Sequence, residues 1–251
     1  MMSPLARPFS ELVPAPFNEA TGNHPETHGT TVLALRYKDG ILIFSDRRAT
    51  MGNLIMFEQA DKIMALDDST VVAISGSFAR SVEICRYLKH SFKYYRRSVL
   101  QELSLEGKLA EISRSLAGNA ASAMEGIGVF LPILAAYNKD KEEFVLYFFD
   151  GAGARFLNDE YACAGSGSMQ IKGVFEYLRR KEGSFAKRSL DEVLKNGLEM
   201  LDIAATLDSA TGGFQRIEPV VRVLDKDGNR PVDEKALKTA MQTVLKAAKP
   251  L

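Results

Sequence analysis

Three histidines, two cysteines and no tryptophan in 251 residues exclude several common chemistries before any motif is sought. A Ser-His-Asp arrangement needs a histidine beside its nucleophile. Here His24 and His28 fall in a proline-rich N-terminal stretch and His90 in the charged run KHSFKYYRR. The spacing of His24 and His28 suits a metal only on a helix, and the prolines around them predict none. Cys85 and Cys163 form no C-x-x-C motif and read as core thiols in a reducing compartment. No net charge remains, with 32 basic against 32 acidic residues, which argues against a nucleic-acid or anionic-membrane partner. The longest apolar run, IGVFLPILAAY at 127–137, is too short to span a bilayer and contains a proline. Walker loops, dinucleotide-binding glycine fingerprints and metal-ligand clusters are absent from the sequence, so no cofactor is expected.

Residues 1–29 hold five prolines (Pro4, Pro8, Pro14, Pro16, Pro25) and no continuous apolar segment. A secretory signal needs about 7–15 apolar residues in a row, so a cytoplasmic protein is expected. The stretch reads as extended or disordered. From Thr31 the pattern changes. TVLALRY and ILIFSD are β-branched-rich runs separated by Lys38-Asp39-Gly40, whose Asp-Gly pair predicts a tight hairpin. ILIF is apolar at every position, which predicts a strand covered on both faces. A second strand pair is predicted at KIMAL (62–66) and TVVAISG (70–76). Helical spacing follows over 77–103 and 106–124. Strands return at 132–138, 143–150 and 161–165, with Asp150-Gly151-Ala152-Gly153 as the turn between the last two. Helices are predicted near 168–181 and 189–205, a strand pair around 217–225, and a final helix from Asp233. Strands in antiparallel blocks and helices in pairs favour an α+β chain of two packed sheets with helices outside, over a doubly wound parallel sheet.

Several positions are candidates for chemistry. Asp46 ends an apolar strand, where a charge is costly unless paired, and Lys62 opens the next strand pair. The two are either exposed charges or a pair meeting across the sheets. In the second case the aspartate holds a lysine that eases deprotonation of a nearby hydroxyl. Gly76, in ISGS after a strand, is either an ordinary turn glycine or a site where a backbone N–H approaches a substrate. AGSGS (164–168) and LDSATGG (207–213) pose the same choice between helix cap and catalytic loop. The junction Gly29-Thr30-Thr31 is the sharpest feature: either the tail before it is simply loose, or it is removed and Thr30 becomes the N-terminus.

Taken in order, GTT at 29–31, SDRRAT at 45–50, Lys62, ISGS at 74–77, GSGS at 165–168 and DSATGG at 208–213 resemble the β-subunit family of the proteasome core particle. The similarity covers nearly all of residues 29–225, and the long N-terminal stretch with DSATGG favours the bacterial type. The resemblance implies an Ntn-hydrolase fold, a four-layer αββα sandwich. Residues 1–29 would be a propeptide removed by self-cleavage between Gly29 and Thr30, and 30–251 a single catalytic domain. It implies Thr30 as nucleophile, Asp46 and Lys62 as its charged neighbours, and Gly76 as the oxyanion donor. Ser166, Asp208 and Thr211 would surround the free amine, with Thr211 standing where many members carry serine. The pocket for the residue before the cut bond would be lined by Ala49, Thr50, Ala60, Met64, Ile74 and Phe78, none of them charged. A free α-amine has a pKa of about 7.7–8.0, so Thr30 would carry its own proton acceptor and need no histidine.

The partners implied are other β-subunits in a heptameric ring, flanking α-subunit rings, a hexameric regulatory ATPase and unfolded polypeptide substrate. Three alternatives compete: an inactive ring subunit, an HslV-like threonine peptidase, and a small-molecule Ntn amidohydrolase.

Overall fold

Alternation along four strands organises the interior. In a computed structural model, which describes residues 29–52 and 54–248, strand β1 (Thr31–Tyr37) points Val32 and Ala34 to one side and Leu33, Leu35 and Tyr37 to the other. Strand β2 (Gly40–Ser45) divides Ile41 and Ile43 from Leu42 and Phe44 in the same way, and is buried along its whole length as ILIF predicted. Taking these four side chains out of water stabilises the fold by about 1.5–3 kcal/mol each. Residues 1–28 lie outside the described part, and with them the expected prolines, His24, His28 and most of the expected propeptide.

The remaining strands are β3 (Ala49–Met51), β4 (Leu54–Phe57), β5 (Ile63–Asp67), β6 (Thr70–Ala73), β7 (Ile133–Asn138), β8 (Glu143–Phe149), β9 (Arg155–Asn158), β10 (Tyr161–Gly165), β11 (Val220–Asp225) and β12 (Gly228–Pro231). The helices are α1 (Phe78–Val99), α2 (Leu105–Met124), α3 (Ser168–Glu182), α4 (Leu190–Leu207) and α5 (Glu234–Ala247). One five-stranded antiparallel sheet has the order β10-β1-β2-β11-β12 and the other β5-β6-β7-β8-β9, which places the chain in the α+β class.

Three buried clusters follow from the alternation. Val32, Ala34, Ile41 and Ile43 of the first sheet meet Val71, Ala73, Ile133 and Ala135 of the second. Leu33, Leu35, Leu42 and Phe44 pack with Ile171, Phe175, Leu198 and Met241 of α3, α4 and α5. Val72, Ile74 and Leu134 pack with Ile84, Leu88, Leu109 and Ile112 of α1 and α2. Caps fix where helices start: Ser189 and Glu192 form a reciprocal capping box on α4, and the Asp233 carboxylate accepts from the Ala236 amide at the start of α5.

Two local readings need correction, and one hairpin has no counterpart in the sequence reading. The stretch between Asp46 and Lys62 carries the hairpin β3–β4, a separate two-stranded sheet with Met51, Leu54, Ile55, Met56 and Phe57 all exposed. Such short exposed strands lack the alternation that marks a half-buried one. Strand β9 lies between the Asp150–Gly153 turn and β10, so that turn joins β8 to β9. The last strand pair is β11 with β12, later than 217–225, turning at Asp227-Gly228 where the type of dipeptide that marked the first hairpin recurs. Among the described residues no helix is long and apolar enough to cross a membrane.

Candidate active site

The start of β1 is anchored by its neighbours. The Gly29 amide donates to Thr50 Oγ1 of β3 at 2.9 Å, and a Cβ on Gly29 would fall 2.1 Å from the Ala210 Cβ, so only glycine fits this approach. Thr30 is buried, and its hydroxyl donates to the Gly29 carbonyl at 2.7 Å. The hydroxyl therefore sits against the peptide bond that precedes its own residue.

Sheet register brings the charges to this point. β1 pairs with β2 so that Val32 faces Ser45, which sets Asp46 beside Thr31. The Thr31 amide donates to Asp46 Oδ1 at 2.9 Å and the Asp46 amide to the Thr31 carbonyl at 3.2 Å. Lys62, from the other sheet's first strand end, reaches Asp46 Oδ1 at 2.6 Å and the Arg48 carbonyl at 2.6 Å. Both side chains are essentially inaccessible, at 1% and 0%. The charged pair across the sheets is thus present and the exposed alternative is not. Oδ2 of Asp46 accepts from the Arg48 and Gly212 amides, each at 2.9 Å. Burial pushes the Lys62 ammonium below its ordinary pKa; the charge and hydrogen bond of Asp46 hold it up in part, and Arg48 pushes it down again. A lysine so placed gives up its proton more readily than one in water and is better suited to accept one from a hydroxyl.

A second polar group forms beyond β10 and α4. Asp208 closes α4, and its Oδ2 accepts from both Ser166 Oγ and Thr211 Oγ1 at 2.6 Å. Ser166 Oγ lies 3.5 Å from the Thr30 carbonyl. Arg48 ties the two groups together: its guanidinium donates to the Ser209 carbonyl at 2.9 Å and is held by Glu58 at 2.9 Å. Thr30, Asp46, Lys62, Ser166, Asp208 and Thr211 therefore come together.

Gly76 is less closely tied. Its φ of +96° and the 2.1 Å from a built Cβ to the Val129 carbonyl oxygen require glycine. It bridges to Phe130, and no hydrogen bond joins it to the Thr30 group among the described residues. Of the six pocket residues, Met64, Ile74 and Phe78 pack in one cluster under α1, with Ile74 only 2% exposed. Ala60 is buried, Ala49 half-buried, and Thr50 is taken up by Gly29. Thr31, Arg48 and Gly212 were not singled out from the sequence, although each lies inside a motif that was: GTT, SDRRAT and DSATGG.

Comparison with known proteins decides the family. The model of the family described as "Proteasome subunit" matches residues 26–218. The chain belongs to the proteasome subunit family. The matched span takes in every residue of the Thr30 group and stops short of β11, β12 and α5. Relatives named "Proteasome subunit beta" agree with this proteasome assignment. The one from Jonesia denitrificans is 32% identical over 220 residues, 86% of this chain and 71% of the relative. That from Streptomyces griseus is 31% identical over 221 residues (87% and 76%), and that from Acidimicrobium ferrooxidans 33% over 215 (84% and 76%). The chain is thus similar to bacterial proteasome β-subunits over most of its length.

Proposed function

We propose that this chain is the catalytic β-subunit of a proteasome core particle, a threonine endopeptidase acting on unfolded polypeptide. One observation carries the reading. The Thr30 hydroxyl lies 2.7 Å from the Gly29 carbonyl oxygen, and the amide of the next residue, Thr31, is held by the fully buried Asp46–Lys62 pair. The three buried clusters support an αββα sandwich of the Ntn-hydrolase type; in this reading 30–251 is one catalytic domain and 1–29 its propeptide.

Two stages follow. In the first, Thr30 Oγ1 bonds to the Gly29 carbonyl carbon and gives its proton to Lys62. The Gly29–Thr30 C–N bond breaks as the departing nitrogen takes up a proton, leaving an ester on Oγ1 and a free α-amine on Thr30. Water then cleaves the ester and releases residues 1–29 with a new carboxylate on Gly29. In the second stage the same hydroxyl attacks a substrate carbonyl. The α-amine or Lys62 takes its proton and passes one to the leaving amine, and water again opens the ester. Asp46 keeps Lys62 in place, the Gly76 N–H donates to the developing oxyanion, and Ser166, Asp208 and Thr211 hold the amine. The working unit is a heptameric ring of such chains, flanked by α-subunit rings and fed by a hexameric ATPase, in the cytoplasm.

The test is mass spectrometry of the purified particle together with a Thr30→Ala variant. Active particles should begin TTVLAL, and Thr30→Ala should be uncleaved and inactive. Full activity from chains still beginning at Met1, or turnover by Thr30→Ala, would refute the proposal.

A further inference from the structure

Two threonines stand where β1 begins, Thr30 just before it and Thr31 as its first residue, and only Thr30 has a part in the chemistry proposed above. The second, Thr31, is completely buried. Its backbone serves the charged pair, donating to Asp46 Oδ1 at 2.9 Å. Its side chain serves the other polar group. Oγ1 accepts from the Gly167 amide at 3.1 Å and lies 2.6 Å from Thr211 Oγ1. The fit is close, since a Cβ on Gly167 would stand 2.3 Å from the Thr31 hydroxyl oxygen.

A threonine hydroxyl has one proton to donate, and that of Thr211 goes to Asp208 Oδ2 at 2.6 Å. The Thr31–Thr211 contact must then be made by the proton of Thr31. The result is a one-way chain: Gly167 N–H to Thr31, Thr31 to Thr211, Thr211 to Asp208, with Ser166 donating to the same carboxylate oxygen.

We infer that Thr31 is a positioning residue for the Thr30 reaction, acting through the hydroxyl of Thr211 on the Asp208 carboxylate; this rests on the peptidase reading above. Donation from Thr31 polarises the Thr211 O–H and strengthens its bond to Asp208. Without it the carboxylate is less neutralised. An ammonium at the N-terminus of Thr30 is then held more firmly, so its pKa rises and less of it is free to accept a proton near neutral pH.

The experiment uses the full-length chain assembled into particles. Thr31→Val keeps the shape and removes the hydroxyl; Thr31→Ser keeps the hydroxyl. Thr31→Val should lower kcat about tenfold with KM changed less than about twofold, and Thr31→Ser should recover to within about threefold of the parent. The acid limb of the kcat–pH profile should move to higher pH in Thr31→Val by about half a unit and stay in place in Thr31→Ser. In a Thr211→Val background, adding Thr31→Val should cost no more than about twofold further. If Thr31→Val does not assemble, Thr31→Ala takes its place; if it assembles uncleaved, the same comparisons are read on the rate of Gly29–Thr30 cleavage. An unmoved acid limb, a Thr31→Ser as slow as Thr31→Val, or effects of Thr31 and Thr211 that multiply would each overturn the inference. Thr30→Ala, measured alongside, separates the two levels: its turnover would sink the peptidase reading, whereas its inactivity beside multiplying Thr31 and Thr211 effects sinks only the positioning role.

Discussion

Asp46→Asn is a severe test of the charged pair, because the carboxylate has four donors and the amide can serve two. Oδ1 accepts from the Thr31 amide and Lys62 Nζ, and Oδ2 from the Arg48 and Gly212 amides. An asparagine has one oxygen, so either way round its NH2 faces a pair of donors. Each buried donor left without an acceptor costs about 1–3 kcal/mol, giving about 2–6 kcal/mol for the pair. Lys62 softens the upper end, since a lysine already pushed down in pKa can shed its proton. A value of about 3 kcal/mol would lower the unfolding midpoint of a chain this size by roughly 6–12 °C. Lys62→Met should cost less, about 1–3 kcal/mol, because Asp46 keeps three backbone N–H partners. The double variant should lose less than the sum of the two by about 1–3 kcal/mol. Urea unfolding of full-length chains in a Thr30→Ala background measures all four corners without interference from cleavage. Single effects that add to within about 0.5 kcal/mol would show that the pair is not coupled and that its proposed catalytic role is misplaced.

The depressed Lys62 pKa also predicts a pH dependence. Between that pKa and the ordinary value of 10.5 the unfolded chain binds a proton that the folded chain does not, so stability should rise with pH across that interval and fall as pH drops through the folded pKa. Urea midpoints of parent and Lys62→Met should show the slope in the parent only; equal slopes would mean that Lys62 is not the group. In fluorogenic peptides, Leu, Tyr or Phe before the cut bond should exceed Arg or Glu in kcat/KM by at least about tenfold, near 1.4 kcal/mol of barrier; a native preference for Arg or Glu would refute the pocket assignment. Reversing the preference is better tried at Met64 than at Ile74, which is 2% exposed and would bury a guanidinium among α1 side chains. Met64→Arg should raise turnover of the Glu peptide relative to Leu, and no relative gain would count against Met64 as lining.

The sequence marks β1, β2, β7 and β8 to within a residue or two because their apolar alternation or full burial is a local property. It is silent on β3, β4 and β9, which are three or four residues long and mostly exposed, so burial imposes no pattern on them. The site divides the same way. Thr30 and Gly29 are legible because composition changes at their junction. The pairing of Asp46 with Lys62 is not legible from either neighbourhood, because it depends on two strand ends from different sheets meeting. Lys108 makes the same point: it lies on α2, is buried, and pairs with Asp67 at 2.7 Å, with nothing in its helix to distinguish it from a solvent-facing lysine. Thr31 shows in the sequence only as a letter in a motif, since the partners of its hydroxyl, Gly167 and Thr211, come from distant segments.

Strand β2 takes a neighbour on each side: Ser45 is in register with Val32 of β1 and with Val220 of β11. The carboxylate next to it waits for Gly212 to supply its fourth donor. During synthesis at about 5–20 residues per second, the 180 residues separating Ser45 from Asp225 take roughly 10–35 s to appear. Until Gly212 is made Thr30 has only part of its surroundings, and a chain that stops before Asp208 carries the hydroxyl but can never assemble the whole group around it. The order in which the ribosome delivers the strands thus makes any chemistry at Thr30 a late event, withheld until Asp208, Thr211 and Gly212 have been made.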